Sequence, residues 1–321
     1  MKKNKIKDTG LEITELSFGT SSLGSMPDTY GYEVPEDRAQ KTLNRFFQGP
    51  VNMLDTSRNY AMGESEKRIG RAIKENGGWP KDFLLSTKLD RNMDTLVLDK
   101  NRARESLEES LKTLNVDSVD ILFLHDPEYA KDITDITKKD GAMDELFKIK
   151  NEGLAKAVGV AMGKVDIMFP LLKDWDFDVV INHNRYTLIN REANKMYDYA
   201  SSKNIAIFNA APYAGGVLAK GPDNFKKVTY QDATEEKLAP AREFEKVCKK
   251  HNVELGAAAL QFSLKDNRIT STICGVTSVE SIEKNLAWAN AEISVEFWDE
   301  ISKLPFSCLL YTSPSPRDTI R

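Results

Sequence analysis

The sequence predicts a single-domain α/β fold, a closed (β/α)8 TIM barrel, and three observations carry that expectation. Short apolar runs rich in β-formers alternate with amphipathic helical patterns along almost the whole chain. Eight such runs are present, and parallel neighbours need crossovers long enough to hold a helix. The glycine-rich turn of an open dinucleotide-binding sheet is missing, because "LSFGTSSLGSM" spaces its glycines wrongly for GxGxxG. A closed barrel therefore accounts for the pattern better than an open, doubly wound sheet.

Taken in order, the strand candidates are residues 16–20, 53–56, 83–88, 119–124, 157–160, 179–183, 206–211 and 272–275. A short hairpin is expected ahead of them at the N-terminus. The clearest helix lies in "DKNRARESLEESLKTLNV", where Ala103, Leu107, Leu111 and Leu114 share one face and Glu and Lys occupy the other. Residues 218–238 read as a long loop. No repeat, linker or low-complexity block divides the chain, so residues 1–306 are expected to form one barrel domain. The remaining stretch, "SCLLYTSPSPRDTIR", carries Pro314 and Pro316 and no helical period. Residues 307–321 read as a non-native or flexible tail, whose deletion is expected to leave melting temperature and activity nearly unchanged.

Composition narrows the function classes. A chain of 321 residues with 40% hydrophobic and 29% charged residues can bury a large core. The formal charge of -4, with both signs interspersed, argues against nucleic acid as a partner. The basic start "MKKNKIKD" is followed by no apolar h-region, and no run approaches the roughly 18 residues of a membrane span. The protein is therefore read as soluble and cytoplasmic, with no membrane partner. Cys248, Cys274 and Cys308 are odd in number, far apart and without a CxxC pair, so they read as buried thiols and no metal site is expected.

Catalytic groups of such barrels sit at the C-terminal ends of the strands. Asp55 closes the second run, Lys88 the third in "FLLSTK" and His125 the fourth in "VDILFLH", while Tyr60 follows Asp55 in the next loop. Singly, each has an ordinary structural use: a cap, a solvated cation or a satisfied imidazole. Together they aim an acid, a phenol, a cation and an imidazole at one mouth.

That order, set in "LDTSRNYAMGESEKRIGRAI", "LSTK" and "SVDILFLHDPE", resembles the aldo-keto reductase superfamily. The similarity continues through "GLAKAVGVAMG", "INHNRYTLINRE", "FNAAPYAGGVLAKG" and "STICGVTSVESIEKN". "SRNYAMGESE", "HDPE", "NRYTL" and "NAAPYAGG" look most like the D-threo-aldose 1-dehydrogenase (L-fucose dehydrogenase) branch. The resemblance implies a metal-free oxidoreductase that moves a hydride between NAD or NADP and a small sugar or carbonyl. In it Asp55, Tyr60, Lys88 and His125 are catalytic. A phenol is a reluctant proton carrier at neutral pH, and a neighbouring ammonium favours its phenolate. Tyr60 would then serve as general acid or base, with Asp55 holding Lys88 and His125 hydrogen-bonding the substrate oxygen.

The resemblance also implies cofactor contacts. Gly19 and Thr20 match the loop beside the nicotinamide ribose, and Asp55 borders the same place. Ala211, Tyr213 and Gly215 belong to the pyrophosphate turn, Gly275 opens the last loop, and Asn285 matches an adenine contact. Three departures stand out. Ala161 and Met162, followed by Gly163, replace a Ser-Asn pair on the nicotinamide amide. Ala210 stands where an aromatic often stacks on the ring, with Phe208 and Tyr213 as alternatives, and His183 or Asn182 replaces a Gln. In "CGVTSVESIEKN", Lys284 is the only cation and Glu280 lies close by, so a 2'-phosphate finds little compensation and NAD is favoured over NADP. Two rival readings are a nicotinamide-sensing regulatory subunit, which need not keep all four polar residues, and a Schiff-base barrel aldolase using Lys88.

Overall fold

A computed structural model describes residues 1–306. The chain begins with the expected hairpin, in which β1 (Lys3–Ile6) pairs antiparallel with β2 (Leu11–Thr14). Seven strands follow: β3 (Leu16–Gly19), β4 (Met53–Asp55), β5 (Leu84–Leu89), β6 (Val119–His125), β7 (Ala155–Met162), β8 (Val179–His183) and β9 (Ala206–Ala210). A two-residue-per-strand hairpin, β10 (Lys227–Val228) with β11 (Gln231–Asp232), precedes the last barrel strand β12 (Ser271–Gly275). The barrel runs β3 to β9 in order and closes where β12 pairs in parallel with both β9 and β3.

All eight apolar runs are strands, with ends displaced by at most two residues. The largest displacement is in β7, "AKAVGVAM", whose small residues lack the β-branched signature that marks a strand in sequence. Gly159 explains the small residues there, since a Cβ at that position would lie 1.6 Å from the Val179 carbonyl oxygen. The tail set apart in the sequence, residues 307–321, lies outside the described residues, as does Cys308; Cys248 and Cys274 are buried thiols.

The helix in "DKNRARESLEESLKTLNV" spans Lys100–Leu114. Asp99 caps it by accepting from the Arg102 N–H, and Asn115 ends it in the left-handed conformation at φ 58°. Ala103, Leu107 and Leu114 are buried against the barrel, while Leu111 is half-buried. The neighbouring helix Glu64–Glu75 buries Ile69 and Ile73, and Gly70 lets it lie close enough that an added Cβ would sit 2.0 Å from the Thr113 oxygen.

Strand side chains alternate between two layers. Leu54, Leu85, Leu122 and Val160 point outward into the helix layer, whereas Met53, Leu84, Ile121, Phe123 and Phe208 fill the barrel interior. Ile6, Leu11 and Ile13 of the hairpin join that interior cluster and seal its lower end. Each such buried aliphatic side chain contributes about 1.5–3 kcal/mol, so the hairpin is part of the core.

The expected long loop at 218–238 is instead folded. It holds the short helix Val217–Lys220, the β10–β11 hairpin and the start of the helix Glu235–Lys250. Left-handed Thr229 and Tyr230, at φ 48° and 71°, turn the Tyr230 ring edge-on to Tyr30, 5.7 Å away. Short hydrogen-bonded pieces of this kind have no hydrophobic period, which is why the sequence pattern hides them.

Candidate active site

The barrel register assembles the site. Asp55 pairs with Ser86, Lys88 with Phe123, and His125 with Ala161, so the last inward-facing positions of adjacent strands converge at one end. Beyond β4 the chain makes a turn in which Ala61, Met62 and Gly63 all have positive φ (50°, 53° and 91°). This turn folds Tyr60 back over the strand ends and leads into the helix Glu64–Glu75. A φ of 91° favours glycine at position 63, and an added Cβ would also have to displace the end of the Arg58 side chain, 2.5 Å away.

Lys88 is the hub. Its Nζ donates to both Asp55 oxygens at 2.8 and 2.7 Å, to the Thr56 carbonyl at 2.6 Å, and lies 3.0 Å from the Tyr60 hydroxyl. Ser86 Oγ donates to Asp55 Oδ1 at 2.7 Å, and Tyr60 OH lies 3.5 Å from Asp55 Oδ2. Burial opposes the Lys88 charge, but the Asp55 carboxylate and Tyr60 outweigh it and hold the ammonium above the ordinary lysine value. The cation thus sits beside the Tyr60 phenol oxygen. His125 stands across from Tyr60 with ring centroids 6.0 Å apart.

These side chains form the floor of a cavity of about 370 Å3. Its wall brings together Gly19, Asp55, Tyr60, Lys88 and His125. His183, Ala211, Tyr213, Gly215, Gly275, Lys284 and Asn285 line it as well. Thr20, expected from the sequence beside the nicotinamide ribose, is the exception: its side chain is fully buried behind the wall. There its hydroxyl donates to the Asp55 carbonyl at 2.9 Å and meets Ser65 Oγ at 2.9 Å. Of the two alternatives on β8, His183 lines the cavity, while Asn182 is fully buried and donates to the Met162 and Gly163 carbonyls at 3.0 and 3.2 Å. Of the three on β9 and its loop, Phe208 is buried inside the barrel; Ala210 and Tyr213 face the cavity. Asn285 lines the wall with its amide already engaged, accepting from Tyr213 OH at 2.5 Å and donating to the Ser281 carbonyl at 2.7 Å.

Other lining residues carry no signal in the sequence pattern. Tyr30 ends the short helix Pro27–Tyr30, Tyr32 and Tyr230 come from loops, and Lys220 from the helix Val217–Lys220, with its Nζ over the Phe225 ring at 4.3 Å and the Tyr32 ring at 5.1 Å. Burial lowers the proton affinity of Lys220 and raises that of the Tyr32 phenol. The missed residue nearest the chemistry is Asp90, which contacts His125 Nδ1 from just past β5. A carboxylate closing the same run as Lys88 is the signal that could have found it. Among the described residues, no group of three or more metal-binding side chains occurs and no helix is long and apolar enough to cross a membrane.

A closed parallel barrel that gathers this polar set at its strand C-terminal ends has the layout of a barrel enzyme. The chain belongs to the aldo/keto reductase family, whose model matches residues 15–305. It is 30% identical over 284 residues to L-galactose dehydrogenase of Arabidopsis thaliana, a match covering 87% of this chain and 85% of the relative. To D-threo-aldose 1-dehydrogenase of a Pseudomonas species it is 27% identical over 321 residues, covering 92% and 94%. That relative bears out the branch resemblance read from the sequence. The holo form of an aldo-keto reductase from Bacillus halodurans shares the fold, with a TM-score of 0.78 at 21% identity over 97% of this chain and 98% of that one.

The family fold binds a nicotinamide cofactor, and the residues present fit one. Ala161, Ala210 and Ala211 line the same cavity as Tyr60 and His125 with short side chains, and Lys220 and Lys284 on its wall would be the cations available to a diphosphate. When bound, the nicotinamide supplies the acceptor or donor of a hydride.

Proposed function

We propose that the chain oxidises the C1 hydroxyl of a ring-form aldose to a lactone, or reduces a small aldehyde or ketone, with Tyr60 as general base or acid. The observation that carries this reading is the Lys88 ammonium, clamped by Asp55, 3.0 Å from the Tyr60 hydroxyl. In oxidation the C1 hydrogen would leave as hydride to the oxidised nicotinamide while the O–H proton passes to the Tyr60 phenolate oxygen and the C=O bond forms. Asp55 keeps Lys88 charged and aimed, so negative charge on Tyr60 is compensated where it develops. His125, on the opposite side of the floor, orients the substrate oxygen. The sugar substrates in the names of the two dehydrogenase relatives support the choice of an aldose.

We infer a preference for NAD over NADP. Lys284 is drawn toward Glu254, 3.8 Å away, and lies over the Trp288 ring, which weakens the one cation of its loop as a partner for a 2'-phosphate. The geometry runs against the Schiff-base alternative, because a nucleophilic amine must be neutral and Lys88 is held as an ammonium.

A panel of free aldoses and small aldehydes, followed by the absorbance of reduced nicotinamide with each cofactor, tests the substrate class. Tyr60→Phe is expected to lower turnover by roughly 10²- to 10⁴-fold while cofactor affinity, read by fluorescence titration, is retained. Unchanged turnover would remove Tyr60 from the mechanism.

A further inference from the structure

Two residues past Lys88 the fold turns a second carboxylate, Asp90, beneath His125, with both side chains almost fully buried at 2% and 3% exposure. Asp90 Oδ1 contacts His125 Nδ1. Asp90 Oδ2 accepts from Ser57 Oγ at 2.5 Å and from the Asn59 N–H at 3.1 Å. The two donors on Oδ2 favour the carboxylate over the protonated acid. Ser57, having given its proton to Asp90, offers His125 Nδ1 only a lone pair at 3.2 Å, so Nδ1 is the donor on that edge of the ring.

Of the other groups around the pair, the Asp126 carboxylate favours a charged ring, and the nearby cations are engaged elsewhere. His125 Nε2 lies 3.7 Å from Asp126 Oδ2, and Asp126 Oδ1 lies 3.7 Å from His183 Nε2. The nearby Lys88 charge is closed by Asp55, and the Tyr60 ring faces the imidazole edge-on. Arg102 Nε donates to the Asp90 backbone carbonyl at 3.1 Å. Buried Glu66, packed behind, is pushed up to about 7 by burial first, with the Asp90 charge adding to it. A neutral imidazole with its proton on Nδ1 would turn a lone pair on Nε2 toward a substrate carbonyl oxygen, which repels it. The charged ring turns an N–H there instead.

We propose that Asp90 is a positioning residue that keeps a proton on His125 Nδ1 and holds the ring as an imidazolium, so that Nε2–H gives the substrate oxygen a charge-assisted hydrogen bond. Tyr60 still moves the proton of the reaction, and His125 keeps both of its own. The substrate half of this inference rests on the proposed function; the Asp90–His125 pairing does not.

The test is side-chain nitrogen NMR of the full chain, in which three histidines make assignment through His125→Gln direct. In the unmodified protein His125 is expected to carry a proton on Nδ1 throughout and to stay doubly protonated through neutral pH. Asp90→Asn is expected to raise the ring's acidity about tenfold. A change below threefold, or a neutral form protonated on Nε2, would overturn the proposal. Cofactor affinity by fluorescence titration reports that the variant is folded. The high-pH limb of kcat is expected to move with the NMR midpoint, and Asp90→Asn is expected to shift no limb in a His125→Gln background, where a merely structural role would still act. If no sugar or carbonyl is turned over, the proposed function falls while the NMR result decides the pairing independently.

Discussion

Lys88→Met tests the centre of the site through stability as well as activity. The ammonium makes contacts of 2.6–3.0 Å to Asp55, Thr56 and Tyr60, and the Lys88 and Asp55 side chains are 2% and 6% exposed. Removing it strands a buried carboxylate whose neutral donors are Ser86 Oγ at 2.7 Å and Tyr60 OH at 3.5 Å. Breaking a buried pair from one side costs about 3–5 kcal/mol. At this chain length, about 2 °C per kcal/mol places the fall in Tm near 6–10 °C. Turnover is expected to drop by roughly 10²- to 10⁴-fold, since the phenol loses its compensating charge. Adding Asp55→Asn removes the stranded charge, so the double variant should be more stable than Lys88→Met alone. Because the folded state holds the Lys88 proton above the ordinary value of 10.5, the pair's contribution is full below that pH and is lost as pH rises through the higher folded value. Urea denaturation from neutral to alkaline pH measures all of this. A loss under about 1 kcal/mol, or a double variant no more stable than the single one, would refute the reasoning.

Two further outcomes are expected. Glu66 accepts from Thr87 Oγ1 at 2.6 Å but is pushed up from 4.5 to about 7 by burial, so its stabilising share is full below pH 4.5 and lost as pH rises to about 7. Glu66→Gln should therefore stabilise the fold at pH 8, on the order of 3 kcal/mol, and show no gain near pH 4.5, as read by Tm at the two pH values. For cofactor choice, kcat/KM with NAD should exceed that with NADP, and a tenfold NADP advantage would contradict the argument from Lys284 and Glu254.

The parts legible in the sequence are those with a period or a boundary. Each barrel strand is an apolar run, and Asp55 and His125 end theirs while Lys88 is the last but one of its own, so their place at the C-terminal mouth is legible from the run boundaries. Thr20 also ends a run, yet its side chain falls on the outward parity and bonds Ser65 instead. Parity at a strand's last residue is set by register, which one strand does not reveal. Asp90 and His125 are 35 positions apart and meet only because β5 and β6 are neighbours. Tyr230 reaches Tyr30 through two left-handed residues, a backbone choice with no hydrophobic signature.

The hairpin at the chain's start gives the site a traffic rule. Ile6, Leu11 and Ile13 stopper the lower end of the barrel, so the cavity above Lys88 is entered from the strand C-terminal side. Two ligands that share one doorway must queue: the one seated deeper arrives first and departs last. Such a queue is visible in steady-state kinetics as a compulsory order of addition, with product inhibition competitive toward the first ligand alone. The packed barrel interior and the hairpin beneath it would then set the sequence of events without touching the reaction.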